Sequence, residues 1–246
     1  MINEVRNTVL AILNKNNYGY ISPSDFNLYA ANAQMELYED YFVSYNKAIN
    51  AENARLSGTG YADSEGPIAE FLETFLQIDK LTKISNNKYS VPSPFTTGYS
   101  AYMINKIVCY DAITNKKLGE AEKTSNTSIS MLISSNLTSP SIEYPAYTLV
   151  QDAIYVYPEI INGVNSLECS YFRYPKTPKW TYISLSNGEP AFDQSQSDYQ
   201  DFEMPNEDGY KLTTKILEYC GMSIREQEVT QFGMAQQQQS QTTFSV

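Results

Sequence analysis

No histidine occurs anywhere in the 246 residues. Ser-His-Asp and Cys-His relays and histidine-based zinc sites are therefore excluded, because no imidazole exists to act as base or ligand. Cysteine is nearly as scarce: Cys109, Cys169 and Cys220 are odd in number and widely spaced, so they form no C-x-x-C pair. Each reads as the apolar side of a strand or helix, which predicts reduced, buried thiols and synthesis in a reducing cytoplasm. Long apolar runs are missing too. Near the N-terminus only Val9 to Leu13 is continuously apolar, with Glu4 ahead and Asn14 and Lys15 behind, so neither a signal peptide nor a membrane span is predicted. The sequons at Asn126 and Asn136 then carry little weight. Cations are the last shortage: 17 Lys and Arg face 28 Asp and Glu, a net charge of -11. That balance argues against a general nucleic-acid-binding surface and in favour of a soluble one.

What the chain has in excess is tyrosine, 21 residues of it. A flat apolar ring with a hydrogen-bonding tip suits broad, semi-polar contact surfaces. Residues 3–16 predict a first helix with Val5, Val9, Ile12 and Leu13 on one face, ended by Asn17-Tyr18-Gly19. Ser22-Pro23-Ser24-Asp25 resembles a capping box with aspartate in the usual glutamate position. A long helix is predicted to follow to about Leu56, with Phe26, Ala30, Ala33, Leu37, Tyr41 and Tyr45 at helical spacing. A glycine-rich loop, Leu56 to Gly66, leads to a third helix from Pro67 carrying Ile68, Phe71, Leu72, Phe75 and Leu76. The last helix, within 205–234, is entered by Pro205, Glu207 and Asp208 and shows Leu212, Ile216, Leu217, Cys220 and Ile224 on one face. Gly221 within it is read as permitting close helix approach.

Between these ends, residues 81–175 read as an antiparallel β-domain. Candidate strands are Ile84 to Val91, Met103 to Tyr110 and Leu118 to Lys123, the last two joined around Thr114-Asn115. The strongest hairpin signal is Asn162-Gly163, flanked by Ala153 to Ile161 and Val164 to Tyr174. Residues 124–146 are Ser/Thr-rich, with one candidate strand at Ile129 to Ile133. Residues 176–204 predict an extended arm without regular structure, and 235–246, containing QQQQSQ, a disordered tail. The fold class is α+β: a four-helix body made by 1–80 with 205–234, carrying an inserted antiparallel β-domain.

Candidate chemistry is sparse. Gly58 and Gly60 lack the further glycine and lysine of a P-loop. Asp193, Asp198, Asp201 and Glu203 collect oxygen ligands, but the sixth-position glycine and closing glutamate of a calcium loop are absent, which favours a solvated acidic loop. No spacing nominates a carboxylate pair for glycoside hydrolysis. Arg173-Tyr-Pro-Lys-Thr-Pro-Lys-Trp180 is the one basic, aromatic cluster and holds the only tryptophan. It reads as a rigid connector pinned to the body by Trp180, with a base- or sugar-stacking platform as the competing reading. No catalytic, cofactor-binding or metal-binding residue is assigned.

The opening VLAILNKNNYGYISPSDFNLYAANAQMELYEDYF, the central RYPKTPKW and the closing FEMPNEDGYKLTTKILEYCGMSIRE together resemble ring or head-to-tail connector proteins of crAss-like tailed bacteriophages. The resemblance covers about half of the chain and is weakest over 81–150. It implies a virion structural protein of the neck or tail without catalysis, assembled in the bacterial host cytoplasm. Such a protein is one subunit of a closed ring, commonly twelvefold, docked on the portal or an adjacent ring and continuing the DNA channel, with no membrane partner and no cofactor. The motif maps onto Arg173, Pro175, Lys176, Pro178, Lys179 and Trp180, which the resemblance nominates as subunit or ring contacts. A carbohydrate- or receptor-binding module of the phage tail is the alternative.

Overall fold

The computed structural model describes residues 1–15, 21–53, 66–186 and 188–224. The predicted end of the first helix at 17–19, most of the loop at 56–66, the last helix beyond residue 224 and the Gln-rich tail lie outside the described residues. The chain forms two compact units, one from Met1–Glu65 with Pro175–Val246 and one from Gly66–Tyr174. The α+β class holds.

The first unit contains α1 (Ile2–Lys15), α2 (Pro23–Asn53) and α5 (Gly209–Ile224), with α5 packed on both others. Ser22 caps α2 as its sequence predicts: its hydroxyl accepts the Asp25 N–H at 3.1 Å and meets the Asp25 carboxylate at 2.6 Å. With 31 residues, α2 is about 46 Å long. The buried seam comprises Val5, Val9 and Leu13, then Phe26, Ala30, Ala33 and Leu37, then Leu212, Ile216, Leu217 and Cys220. Three positions depart from the expected faces. Ile12 is exposed, and the α2 seam continues through Tyr38 and Phe42, with Tyr41 and Tyr45 only half-buried. Pro205 precedes a single 3-10 turn, Asn206–Asp208, rather than opening α5 itself.

The third predicted helix is shorter than its pattern and belongs to the second unit, so the described helical body holds three helices rather than four. This α3 (Gly66–Glu73) stops because the Thr74 hydroxyl and N–H both turn back onto the Phe71 carbonyl, at 2.7 and 3.1 Å. Leu76, read as the end of a helical face, instead opens a strand. Phe75 is held there by the Arg173 N–H, which donates to its carbonyl at 3.0 Å, and by the Arg173 guanidinium 5.1 Å from its ring centroid.

The strands are β1 (Leu76–Lys80), β2 (Lys83–Ser85), β3 (Lys88–Ser90), β4 (Ala101–Tyr110), β5 (Lys117–Lys123), β6 (Ala146–Val150), β7 (Ala153–Tyr157) and β8 (Leu167–Arg173). Their order in the sheet is β1-β8-β4-β5-β6-β7-β3-β2. Only Leu81 and Thr82 separate β1 from β2, although they occupy opposite edges. Flat, those edges would stand about 34 Å apart, whereas the link from Lys80 to Lys83 reaches at most about 11 Å. The sheet therefore curls on itself, with one bent segment pairing first with β8 and then with β3. Leu81, at the bend, is buried and donates its N–H to the Leu167 carbonyl at 2.9 Å. Alternate residues point inward, among them Tyr89, Ile107, Cys109, Tyr147, Ile154, Leu167, Cys169 and Tyr171, and make one core.

The β4–β5 hairpin forms at the predicted place. Asn115 takes φ 55°, and the Asp111 carboxylate accepts the Ile113 N–H at 3.2 Å and the Thr114 hydroxyl at 2.5 Å. Asn162-Gly163 is not a hairpin turn. β7 pairs with β6 and β3, and β8 with β4 and β1, so 158–166 is a crossover. The tight turn lies at Gln151-Asp152, with Gln151 at φ 54°. Gly163 serves close approach instead: a Cβ there would lie 2.1 Å from the Ala112 Cβ. The candidate strand 129–133 is part of α4 (Asn126–Ile133), whose N-cap Ser125 accepts the Ser128 N–H at 3.1 Å. The arm is not wholly irregular either. It contains the ribbon β9 (Tyr182–Ser184) with β10 (Pro190–Phe192), turned through Gly188 at φ 85°.

Candidate interaction surfaces

The six nominated contact residues are separated by the fold. Arg173 ends β8 in the sheet unit, while Pro175, Lys176, Pro178, Lys179 and Trp180 begin the arm in the helical unit. Arg173, Pro178 and Trp180 are buried, Pro175 is half-buried, and only Lys176 and Lys179 are exposed. Lys179 is ion-paired with Asp198.

Trp180, 1% exposed, is the largest fully buried side chain of the chain's described part. Its ring lies beneath the Arg6 guanidinium at 3.8 Å and stacks with Tyr182 and Phe192 at 5.6 and 5.9 Å, and its indole N–H donates to Asn3 at 3.0 Å. Trp180 thus pins the arm to the helical unit, and a stacking platform does not fit its geometry: no face of the indole is left for a base or sugar.

Two amides of α2 fasten the rest of the arm. Asn27 accepts the Trp180 N–H at 2.8 Å and donates to the Trp180 carbonyl at 3.1 Å. Two turns on, buried Gln34 donates to the Lys176 carbonyl at 2.8 Å and accepts the Glu203 N–H at 3.0 Å. Each amide substitutes for a strand partner, satisfying backbone groups that burial would otherwise orphan. Sequence reasoning passed over both. The available signal was an amide at i and i+7 beside the apolar positions Phe26, Ala33 and Leu37.

Asp201 holds the start of α1 from the far end of the arm, accepting the Ile2 N–H at 2.8 Å, the Phe202 N–H at 2.8 Å and the Met1 ammonium at 3.1 Å. Burial alone would raise its pKa, but these donors outweigh it and hold the carboxyl below the ordinary range. Between α2 and α5, Lys215 reaches Glu36 at 2.8 Å and Asp40 at 3.1 Å, and the Tyr219 hydroxyl donates to Glu36 at 3.2 Å. Buried Asp208 pairs with Lys211 at 2.8 Å and accepts the Tyr41 hydroxyl, whose pKa is raised by burial and then by that carboxylate. These carboxylates are engaged in packing helices rather than presented to a substrate.

The acidic segment after Asp193 closes on itself. Asp193 accepts the Ser195 N–H at 2.9 Å and the Ser195 hydroxyl at 2.6 Å, and Asp198 meets Lys179. Among the described residues no group of three or more metal-ligating side chains converges, and no helix is long and apolar enough to cross a membrane. The cysteines are buried and free, and burial pushes each thiol up to about 12, which makes them poor nucleophiles.

What remains open to partners is surface. One end of the curled sheet gathers the connections 83–88, 111–117 and 158–166. The Lys83 ammonium donates to the Asn162 carbonyl, and Tyr89, from inside the sheet, reaches the Gly163 carbonyl at 2.9 Å and Ser166 at 3.0 Å. Ile113, Ile160 and Val164 project from this end, 93%, 69% and 70% exposed, beside exposed Lys116 and Lys117. A second exposed stripe runs along α2 through Leu28, Asn32, Glu39 and Val43, with half-buried Met35 on the same line. Neither a protein-family model nor a curated protein matches this chain.

Proposed function

We propose that this chain is a virion structural protein, one subunit of an oligomeric ring that joins portal and tail and continues the DNA channel. The observation that carries this reading is where the resembling segments fall. The opening block and the closing block, separated by more than a hundred residues, fold into one unit, and the weakly resembling 81–150 lies in the curled sheet inserted between them. A helical body bearing a β insertion is the plan the connector resemblance implies. The buried carboxylates and thiols, each spent on packing, support a role in assembly rather than catalysis. The contact set is redrawn from the nominated residues: Trp180 positions the arm, and the exposed sheet end and α2 stripe are the surfaces that meet other proteins.

The test is immunogold labelling of purified tailed phage particles with an antibody raised against this chain. Label at the single tail-bearing vertex is expected, either on intact particles or, for a position enclosed by neighbouring rings, on disrupted ones. Absence from both overturns the reading.

A further inference from the structure

The two exposed surfaces differ in kind. The three connections at the sheet end carry Lys83, Lys88, Lys116 and Lys117 against Asp111 and Glu159, with exposed Glu143 entering beside Gly119 at the same end, which leaves one cation in excess in a chain of net charge -11. Helix α2 is the reverse over residues 23–50, with Asp25, Glu36, Glu39 and Asp40 against Lys47, and it stays acidic after Lys215 of α5 pairs with Glu36 and Asp40. Both surfaces expose aliphatic side chains amid those charges, Ile113, Ile160 and Val164 on one, Leu28 and Val43 on the other. The sheet end is thus a cluster of aliphatics among cations, and the α2 stripe a line of separate aliphatics with acidic Glu39 between them, so the two surfaces carry charge of opposite sign.

We propose that the lysine-bearing end of the curled sheet in one copy docks on the exposed stripe of α2 in the next copy. This rests on the reading of the chain as a ring subunit and specifies the contact that would close the ring. The contact is heterologous by construction, since each copy offers its sheet end to one neighbour and its α2 to the other. Such contacts propagate, and they make a ring when the rotation closes. Exposed aliphatics at the centre supply the burial, and the charges set orientation and exclude a sheet-end to sheet-end pairing.

Sedimentation velocity on the full chain tests this at low and at physiological salt. The wild-type chain is expected to form species larger than one chain that weaken as salt rises, because the rim charges are solvent-exposed. Lys116→Glu with Lys117→Glu, and separately Glu39→Lys, should each weaken self-association about tenfold or more. Mixing the two variants should restore alternating assemblies larger than two chains, because the reversed sheet end of one meets the reversed helix of the other, and the unchanged sheet end of the second meets the unchanged helix of the first. Ile113→Ser should weaken association with little change in its salt dependence. All four positions are exposed, and unchanged Trp180 fluorescence and helical circular dichroism will show that the variants fold. A wild-type chain that stays single at low salt, sheet-end variants that associate like wild type, or a mixture that does not pair would each overturn the contact. Binding of duplex DNA by the sheet end without self-association would replace it. The outcomes separate the two claims: vertex label with no self-association removes this contact and leaves the virion reading, whereas self-association with no label on particles removes the virion reading.

Discussion

The helical unit and the sheet unit solve different problems with the same alphabet. Residues 1–65 with 175–246 contain nine Lys and Arg against eighteen Asp and Glu, whereas 66–174 contain eight against ten. The helical unit thus holds nearly all of the excess negative charge. Its described interior is joined by polar clamps of high sequence separation: Asn27 and Gln34 to the arm, Asp201 to α1 and Lys215 to α2. The sheet unit is close to neutral, and its interior depends on alternation, with two tyrosines, Tyr89 and Tyr171, reaching polar groups from the core. It also exposes more large apolar side chains, Phe95, Ile113, Leu137 and Val164 among them. The difference lies in how each unit uses its side chains: the helical unit spends polar groups on joining distant segments, and the sheet unit leaves large aliphatics at its surface.

The largest effect that would break this comparison is at Trp180. Trp180→Ala removes a buried indole and should destabilise the helical unit by about 3 to 5 kcal/mol. Loss of circular dichroism at lower denaturant is the readout, and hydrogen exchange of β4 and β8 amides should hardly change if the units are stabilised separately. The same substitution is a poor probe of assembly, because its burial makes any assembly defect indistinguishable from unfolding. Next comes Gly163→Ala, which forces a methyl group against Ala112 and should cost the sheet unit about 1 to 3 kcal/mol. Here the pattern reverses: β-strand amides exchange faster while Trp180 fluorescence keeps its wild-type midpoint.

The two units were also unequally legible. Helix starts, apolar faces and the β4–β5 hairpin depend on residues close in sequence, so Ser22 with Asp25, or Asp111 with Thr114, could be read directly. Strand pairing depends on distant partners. Asn162-Gly163 has the composition of a hairpin turn, yet β7 was already paired on both sides, and the glycine answered a steric demand from Ala112 that no local window contains. The α3 face failed for a related reason: Phe71, Leu72, Phe75 and Leu76 satisfy helical spacing, but the last two are claimed by β8. RYPKTPKW marks the passage from β8 into the following segment but not its exposure, since a basic aromatic motif reads the same whether Trp180 faces solvent or Arg6. The sheet end could not be found at all in sequence, because its three connections are brought together only by the curl.

Gln34 sharpens the contrast at smaller scale. Gln34→Ala should cost the helical unit about 1 to 3 kcal/mol by leaving the Lys176 carbonyl and Glu203 N–H unsatisfied. Fluorescence of the single tryptophan, four residues from Lys176, should show an earlier denaturation midpoint, and Gln34→Glu, which sets a buried carboxylate oxygen against the Lys176 carbonyl, should be at least as destabilising at neutral pH.

The smallest effect is that of pH, and its sign differs between two carboxylates of the helical unit. Asp201 is held below its ordinary range, so it contributes stability above its unfolded pKa, and this is lost as pH falls through the lower folded value. Glu218 is raised by burial and then by Glu36, with Lys215 opposing, so protonating it favours the folded state. As pH falls from neutrality, Glu218 takes up its proton first, and the helical unit should hold or gain stability down to about pH 4, near the ordinary carboxylate range. Below that Asp201 protonates, the Ile2 and Phe202 N–H groups lose their charged acceptor, and the Trp180-monitored midpoint should drop. Asp201→Asn keeps an acceptor oxygen without the titration, so its midpoint should begin lower at neutral pH and show a smaller acid decline, the remainder coming from Asp193 and Asp198, which Ser195 and Lys179 also hold below the ordinary range. An acid decline as large in Asp201→Asn as in the wild-type chain would mean that the clamp at α1 is not what the acid releases.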